Sequence, residues 1–227
     1  GIRDIGVTGV QTCALPISVG ANAEAVADHA WALVLAVRHR IVECDALVRD
    51  GGWDAPGYAP PALADVHRGR LGVVGLGAIG RAVVRRAHGF AMEVAYATPR
   101  PLPAHEEREL GVRLLELDEL MAWADVVTLH CPLTDETRGL ISRERIARMR
   151  PDAILVNTAR GAVVDEAALV EALVERRIAG AGLDVFADEP RVPDALLDLP
   201  HVVLTPHNAD ATPGAEAALV AHCARVV

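Results

Sequence analysis

The chain has 227 residues, of which 52% are hydrophobic and 3% aromatic, and 22 basic against 31 acidic side chains give a formal net charge of −9. This length and apolar content are sufficient for one sizeable hydrophobic core. The acidic balance argues against nucleic acid or an anionic membrane surface as the main partner, and no apolar run reaches the roughly 18–20 residues of a membrane span.

The first 17 residues differ from the rest of the chain. They have neither helical nor strand periodicity, and they contain the only glutamine, Gln11. The string from Val7 to Ile17 resembles one reading frame of a common sequencing-library adapter, so we predict that residues 1–17 are a non-native segment. An ordinary loop and strand is the alternative.

A helical pattern follows this head. Apolar residues recur at three- and four-residue steps between Asn22 and Arg49, which predicts one long helix that ends at Gly51-Gly52. Prolines at positions 56, 60 and 61 then indicate an extended connector.

After Leu71, short apolar strands alternate with amphipathic helices. This alternation predicts an α/β fold with a doubly wound parallel sheet, a Rossmann-like dinucleotide-binding domain. Helices are expected to begin near Ala78, Asp118, Ser142, Asp165 and Pro213. The predicted strands are Leu71–Val74, Met92–Tyr96, Val112–Leu115, Val126–His130, Ala153–Asn157, Gly180–Val185 and Val202–Leu204.

The first predicted strand runs into a GxGxxG turn. In this context Gly75 allows the tight turn, Gly77 lets the backbone approach a pyrophosphate, and Gly80 lets the helix pack closely on the strand. The amides of Ala78 and Ile79 would face the phosphates at the helix N-terminus. A glycine turn that packs a helix on a strand without a ligand is the alternative. The chain contains no lysine, which excludes a P-loop lysine.

The second strand lacks the acid that holds the ribose hydroxyls of NAD. About 20 residues after Gly77 the chain has Ala97, with Thr98 and Arg100 just beyond it. A missing carboxylate removes the repulsion of a 2′-phosphate, and an arginine can pair with that phosphate bidentately. We therefore predict an NAD(P) cofactor with NADP(H) slightly favoured; a solvated loop charge is the alternative for Arg100.

The cysteines indicate neither a metal site nor a disulfide framework. They are scattered and form no CxxC pair, so we predict no metal and a reducing, cytoplasmic location. The four residues are Cys13, Cys44, Cys131 and Cys223.

Three downstream segments place an arginine, an acid and a histidine after predicted strands. Because the carboxyl ends of parallel strands form the ligand-binding crevice, these side chains are expected near a nicotinamide. An arginine can bind a carboxylate and polarise a carbonyl, and a histidine paired with a carboxylate can donate a proton near neutrality. The segments are Asn157–Gly161, Gly182–Pro190 and Leu204–Asp210.

With these segments the sequence resembles the D-isomer-specific 2-hydroxyacid dehydrogenases. Further matches are AEAVADHAWALVLA at Ala23–Ala36, the glycine turn, and LHCPLT at Leu129–Thr134. The resemblance extends from about residue 18 to the C-terminus. It implies an oxidoreductase that transfers a hydride reversibly between NAD(P)H and a 2-oxo acid.

The resemblance also implies a role for each matching residue. Arg160 would bind the substrate carboxylate and carbonyl oxygen, His207 would be the acid/base, and Glu189 would orient it. Asp184 would hold the nicotinamide carboxamide, and His130 is expected to pack or to line the cofactor. The implied cofactor-binding set is Gly75, Gly77, Ala78, Ile79, Gly80, Thr98, Arg100, Cys131, Pro132, Thr158, Ala159, Asp184, His207 and Asp210.

The chain departs from the family pattern at both ends, because family members carry a substrate domain split across the two ends. We expect residues 18–210 to form the dinucleotide-binding domain and residues 211–227 to begin a helix that leads back to a largely missing substrate domain. A fragment that binds NAD(P) without turnover is therefore one alternative to the active enzyme.

Two further function classes stay open. One is a dinucleotide-sensing, corepressor-like binding protein; the other is a different Rossmann enzyme similar to L-alanine dehydrogenase, which the order Arg160, Glu189, His207 disfavours. The predicted long helix resembles the helix that these dehydrogenases use for dimer contacts, so we expect a homodimer. The expected small-molecule partner is a 2-oxo or 2-hydroxy acid, with glyoxylate, hydroxypyruvate, phosphohydroxypyruvate and branched 2-oxo acids all open.

Overall fold

The computed structural model describes Gly20 and residues 22–226. The predicted non-native segment, residues 1–17, and Cys13 lie outside the described residues.

A seven-stranded sheet forms the centre of the fold. Its strand order is β3-β2-β1-β4-β5-β6-β7, and each strand pairs with its neighbours in parallel. This confirms the predicted doubly wound α/β architecture. The strands are β1 (Arg70–Val74), β2 (Glu93–Ala97), β3 (Val112–Leu114), β4 (Val126–Leu129), β5 (Ile154–Asn157), β6 (Gly180–Leu183) and β7 (Val202–Leu204).

Helices cover both faces of the sheet. They connect consecutive strands or flank the sheet at its two ends in the chain. They are α1 (Ala23–Arg38), α2 (Ile41–Arg49), α3 (Ala78–Gly89), α4 (Ala104–Leu110), α5 (Leu117–Trp123), α6 (Arg143–Ile146), α7 (Glu166–Val174), α8 (Asp194–Leu197) and α9 (Pro213–Val226), with single 3-10 turns at Gly52–Asp54 and Gly161–Val163.

The hydrophobic core has two layers, one on each face of the sheet. Successive residues of β5 alternate between them, because strand side chains point to opposite faces. Val156 packs with Leu33 and Val83 of α1 and α3, while Leu155 packs with Leu169 of α7. All five of these aliphatic side chains are buried, and each contributes about 1.5–3 kcal/mol through its removal from water.

The predicted helix from Asn22 to Arg49 is wrong as one element. It divides into α1 and α2 at Arg40, whose φ of 49° is left-handed. The apolar pattern continues past the break, but Ile41 and Val48 are each 52% exposed, so α2 presents them to solvent rather than to the core. Helices α4 and α8, which are seven and four residues long, were not predicted.

Candidate active site

The glycine turn after β1 has the close approaches that its sequence predicts. Gly75 has a left-handed φ of +91°, and a Cβ there would lie 2.7 Å from the amide nitrogen of Cys131. A Cβ at Gly80 would overlap the carbonyl oxygen of Gly75. At Gly77, in contrast, a Cβ would have no atom within 4 Å among the described residues. Gly75 and Gly80 are therefore required by packing, whereas Gly77 leaves open space above the turn.

The N-terminus of α3 suits an anion. Within the described residues no side chain caps this helix, and its first turn contains no acid. The first amides of an α-helix have no intrahelical acceptor, and the helix dipole favours negative charge there. Ala78 is exposed and Ile79 is half-buried, so their predicted contact with a pyrophosphate fits the local geometry.

Two buried polar atoms at the carboxyl ends of β4 and β5 have no partner in the described part of the chain. They are Nδ1 of His130 and Oγ1 of Thr158. The β4–β5 register pairs Leu129 with Asn157, so these two residues follow adjacent strand ends. Buried polar atoms are nearly always hydrogen-bonded, and both atoms lie at the edge where a doubly wound sheet binds a dinucleotide. The residues present therefore fit an NAD(P) cofactor.

His130 is neutral at physiological pH. Burial lowers the pKa of its imidazole to about 3. Its Nε2 lies 2.9 Å from Oγ1 of Thr128. The low pKa excludes His130 as a proton donor near neutrality, and its burial agrees with the expected role of packing or of lining the cofactor. Burial likewise raises the pKa of the neighbouring Cys131 thiol, which stays protonated, while Pro132 is exposed.

Arg160 lies on a short turn that Asn157 closes. The side-chain oxygen of Asn157 accepts a hydrogen bond from the amide of Ala159 at 3.0 Å, and its Nδ2 donates to the carbonyl oxygen of Arg160 at 3.1 Å. Asn157 was not predicted as a site residue, although an asparagine at a strand end is a known turn former. Arg160 is exposed, its Nη1 donates to the carbonyl oxygen of Ala159 at 2.6 Å, and it forms no ion pair with any described residue, so its remaining N–H groups are available to an anion.

The turn of Arg160 packs directly on the loop that carries Glu189. A Cβ at Gly161 would overlap the carbonyl carbon of Phe186, so only glycine permits this approach. The amide of Phe186 in turn donates to Oε1 of Glu189 at 3.0 Å. The backbone around Phe186 therefore connects the turn of the arginine to the acid.

His207 and Glu189 form the pair that the sequence predicts. Nδ1 of His207 lies 2.7 Å from Oε2 of Glu189, and the two side chains are 39% and 33% exposed. In the described residues Nε2 of His207 has no partner. A cavity of about 510 Å³ borders the pair, with Phe186, Leu204 and Pro206 among its lining residues. Arg160 is not among them.

Asp184 is completely buried and holds the loop that carries His207. Its Oδ1 accepts hydrogen bonds from the hydroxyl of Thr205 at 2.6 Å and the amide of Asn208 at 3.1 Å. Its Oδ2 accepts from the amide of Ala209 at 3.0 Å. The predicted contact with a nicotinamide carboxamide stays a prediction, and the anchoring of this loop is a role that the sequence did not indicate.

The remaining predicted cofactor residues lie at the rim of the sheet. Asp210 is exposed and accepts a hydrogen bond from Asn22 at 3.1 Å. Thr98 follows β2, its hydroxyl accepting weakly from the amide of Arg100 at 3.4 Å. The guanidinium of Arg100 is exposed and has no ion-pair partner in the region that the structure describes.

The described residues contain no cluster of three or more His, Cys, Asp or Glu side chains that could hold a metal ion. None of the described helices is long and apolar enough to cross a membrane.

Comparison with known proteins identifies the family. The model of the D-isomer specific 2-hydroxyacid dehydrogenase NAD-binding domain matches residues 31–209. The glyoxylate reductase of Thermococcus onnurineus is 47% identical over 205 residues, which cover 88% of this chain and 61% of that protein. The glyoxylate/hydroxypyruvate reductase B of Pectobacterium carotovorum is 48% identical over 191 residues, with coverages of 83% and 59%.

A solved structure shows the same fold. The NADPH-dependent glyoxylate/hydroxypyruvate reductase of Sinorhizobium meliloti, in complex with NADP and malonate, is 36% identical with a TM-score of 0.81, and the match covers 88% of this chain and 61% of that one. The chain thus spans about three fifths of the length of these relatives. Both the domain match and the sequence identities show that this chain belongs to the D-isomer-specific 2-hydroxyacid dehydrogenase family.

Proposed function

We propose that this chain supplies the NAD(P)-binding and acid–base part of an oxidoreductase that interconverts a 2-oxo acid and a D-2-hydroxy acid. The observation that carries the proposal is the 2.7 Å contact between Nδ1 of His207 and Oε2 of Glu189 at the carboxyl edge of the sheet. Residues 18–210 are the proposed dinucleotide-binding domain, and the family match at residues 31–209 supports most of that range.

The geometry gives each catalytic side chain a distinct task. Glu189 accepts a hydrogen bond from Nδ1 of His207 and thereby fixes the orientation of the ring, so that Nε2 is left to exchange a proton with the carbonyl oxygen of the substrate. Arg160, which has no ion pair among the described residues, binds the substrate carboxylate. Bound NAD(P)H supplies the hydride that the carbonyl carbon receives. In the reverse direction His207 accepts the hydroxyl proton.

The proposed substrate is a small 2-oxo acid such as glyoxylate or hydroxypyruvate. The names of the relatives from Thermococcus onnurineus and Pectobacterium carotovorum support this class. The test is NADPH oxidation by an active full-length form of the protein with a panel of 2-oxo acids. We expect His207→Asn to lower kcat/KM at least about 100-fold, whereas His105→Asn, which removes an exposed histidine of α4, leaves it unchanged. Near-normal kcat/KM in His207→Asn would refute the assigned role.

A corepressor-like binding protein is the second candidate, because the features of the glycine turn fit a dinucleotide whether or not turnover follows. Tight NADPH binding by the full-length form with no turnover of any 2-oxo acid would favour this candidate and count against the enzyme.

We also propose that the cofactor is preferentially NADP(H). Support comes from Arg100, which is exposed and free of ion pairs within the described range, and from the absence of an acid at Ala97. Calorimetric titration should show that Arg100→Ala weakens NADPH binding about tenfold and NADH binding little. Arg108→Ala, at an exposed position of α4, is the matched control. Equal losses for both cofactors would contradict the preference.

A homodimer is the proposed assembly, and the cytoplasm the proposed location. On α2 and just after it, Ile41, Val42 and Val48 are about half exposed and Trp53 is 67% exposed, an apolar surface that a second copy could bury. Light scattering should give a dimer for the wild type and a monomer for Val42→Glu. A monomeric wild type would contradict this assembly.

A further inference from the structure

We propose that His29 of α1 is a positioning residue that holds the His207 loop through Thr205 and Asp184, an inference that rests on the acid–base function proposed for His207. In the sequence His29 lies within the matching segment Ala23–Ala36, and the resemblance gave it no role. In the structure its Nε2 lies 2.9 Å from Oγ1 of Thr205 and 3.4 Å from Oδ1 of Asp184.

The packing of α1 on β6 places His29 at this point. A Cβ at Gly180 would lie 2.9 Å from Val37, and a Cβ at Gly182 would lie 2.8 Å from Leu33. Four residues of a helix rise about 6 Å and two residues of a strand about 6.6 Å. Every fourth residue of α1 therefore lies beside every second residue of β6. The next pair in the series is His29 with Asp184.

The hydrogen-bond donors in this group can be assigned from valence. The hydroxyl of Thr205 has a single hydrogen, and its oxygen lies 2.6 Å from Oδ1 of Asp184. A carboxylate only accepts, so the hydroxyl donates to Asp184. The oxygen of Thr205 is then an acceptor toward His29, whose Nε2 must carry the proton. His29 is thus the first donor of a chain that runs through Thr205 to a buried carboxylate.

This chain of hydrogen bonds anchors the loop on both sides of His207. Thr205 lies two residues before it, and the amides of Asn208 and Ala209, which follow it, donate to the same carboxylate. His207 itself has a φ of 51°, a left-handed conformation that non-glycine residues adopt only where the surroundings impose it. A donor that fixes Thr205 therefore helps to keep Nδ1 of His207 against Glu189.

A purely space-filling role for His29 does not account for these contacts. The side chain is 20% exposed. Its hydrogen bond joins residues that are 176 positions apart in the chain. Asn22, the residue just before α1, donates to Asp210 at 3.1 Å. Two polar contacts, from Asn22 and from His29, therefore connect this end of α1 to the His207 loop.

Amide hydrogen exchange and imidazole ¹⁵N spectra test the proposal without any turnover. In the wild type at pH 8 we expect a protonated Nε2 on His29. His29→Leu should speed exchange of the Asn208 and Ala209 amides about tenfold. His29→Gln, which keeps a donor of similar reach, should stay within about twofold of the wild type. His39→Leu, beyond the other end of α1, is the matched control and should change neither amide.

Kinetics provide the functional readout. His29→Leu should lower kcat for the 2-oxo acid about tenfold and leave KM for NADPH unchanged, and His29→Gln should restore kcat. An unprotonated Nε2 in the wild type, or unchanged exchange of both amides in His29→Leu, overturns the positioning role whatever the activity. If instead the amides respond but His207→Asn has normal turnover, the acid–base function fails, and the positioning of a catalytic loop fails with it.

Discussion

Acidification is expected to destabilise the protein through His130. Burial lowers the pKa of this imidazole to about 3, compared with the ordinary value of 6.5 that applies when the chain unfolds. Between these two values the unfolded chain binds a proton that the folded chain does not. The stability that depends on a neutral His130 is therefore present at pH 7 and declines as the pH falls below 6.5.

The size of this loss follows from the two pKa values. Each pH unit below 6.5 costs about 1.36 kcal/mol, so the free energy of unfolding should fall by about 2 kcal/mol between pH 7 and pH 5 on account of His130 alone. At pH 5 the folded imidazole is still neutral, because its pKa of about 3 lies lower. The loss in the free energy of unfolding over this range therefore comes from protonation of His130 in the unfolded chain.

Urea unfolding at pH 7 and pH 5 measures the effect. His130→Gln keeps a side-chain amide near Oγ1 of Thr128, and its pH-dependent loss should be about 2 kcal/mol smaller than that of the wild type. His67→Gln removes an exposed histidine and should behave as the wild type does. Burial, followed by the charge of Arg176, lowers the pKa of His201 as well, but this residue is present in all three proteins and cancels in the difference.

Two outcomes would refute the reasoning. One is an equal pH-dependent loss in wild type and His130→Gln. The other, which needs no variant, is an NMR titration in which the wild-type His130 takes up its proton above pH 5, because a buried neutral imidazole does not do so.

Three further predictions concern the turns and one ion pair. Gly161→Ala should destabilise the fold by about 3 kcal/mol because its Cβ would overlap the carbonyl of Phe186, and an unchanged urea midpoint would contradict this. Gly77→Ala meets no described atom within 4 Å, so it should weaken NADPH binding about tenfold in a fluorescence titration with little change in stability. Burial raises the pKa of Asp125, but hydrogen bonds from Arg70 outweigh it and the net pKa is lowered. The ionised Asp125 therefore stabilises the fold above about pH 3.9, and this contribution is lost as the pH falls below that value. Circular dichroism should show a smaller acid-induced loss of stability in Asp125→Asn than in the wild type. Equal losses would exclude this contribution.

The strands were largely predictable because most of them are short apolar runs buried on both faces of the sheet; the edge strand β3, with Arg113 and Leu114 exposed, is the exception. β7 has the predicted bounds, Val202–Leu204, and the others differ by one or two residues at their ends. The predicted single helix failed for a physical reason. A three- and four-residue apolar period describes any amphipathic helix, and it does not tell whether Ile41 and Val48 face a core or the solvent.

The candidate site, like the fold, was predictable only in part from the sequence. Glu189 and His207 were predicted from local motifs, and the structure brings these two side chains into contact. The roles of Asn157 and His29 could not be read from spacing, because each depends on a hydrogen bond whose geometry the folded chain sets. For His29 the partner lies 176 residues away, and only the crossing of α1 over β6 brings the two together.

Glycine is what allows that crossing, and it links the stability of the fold to the geometry of the site. Glycine within a strand costs about 0.5–1 kcal/mol relative to alanine. On β6 this cost is offset because a Cβ at Gly182 would lie only 2.8 Å from Leu33, so its absence lets Leu33 pack there and stay buried, and burial of a leucine contributes about 1.5–3 kcal/mol. The same approach sets the height of α1 above the sheet, and that height brings Nε2 of His29 within 2.9 Å of Thr205. A contact that stabilises the fold therefore also determines where the His207 loop is held.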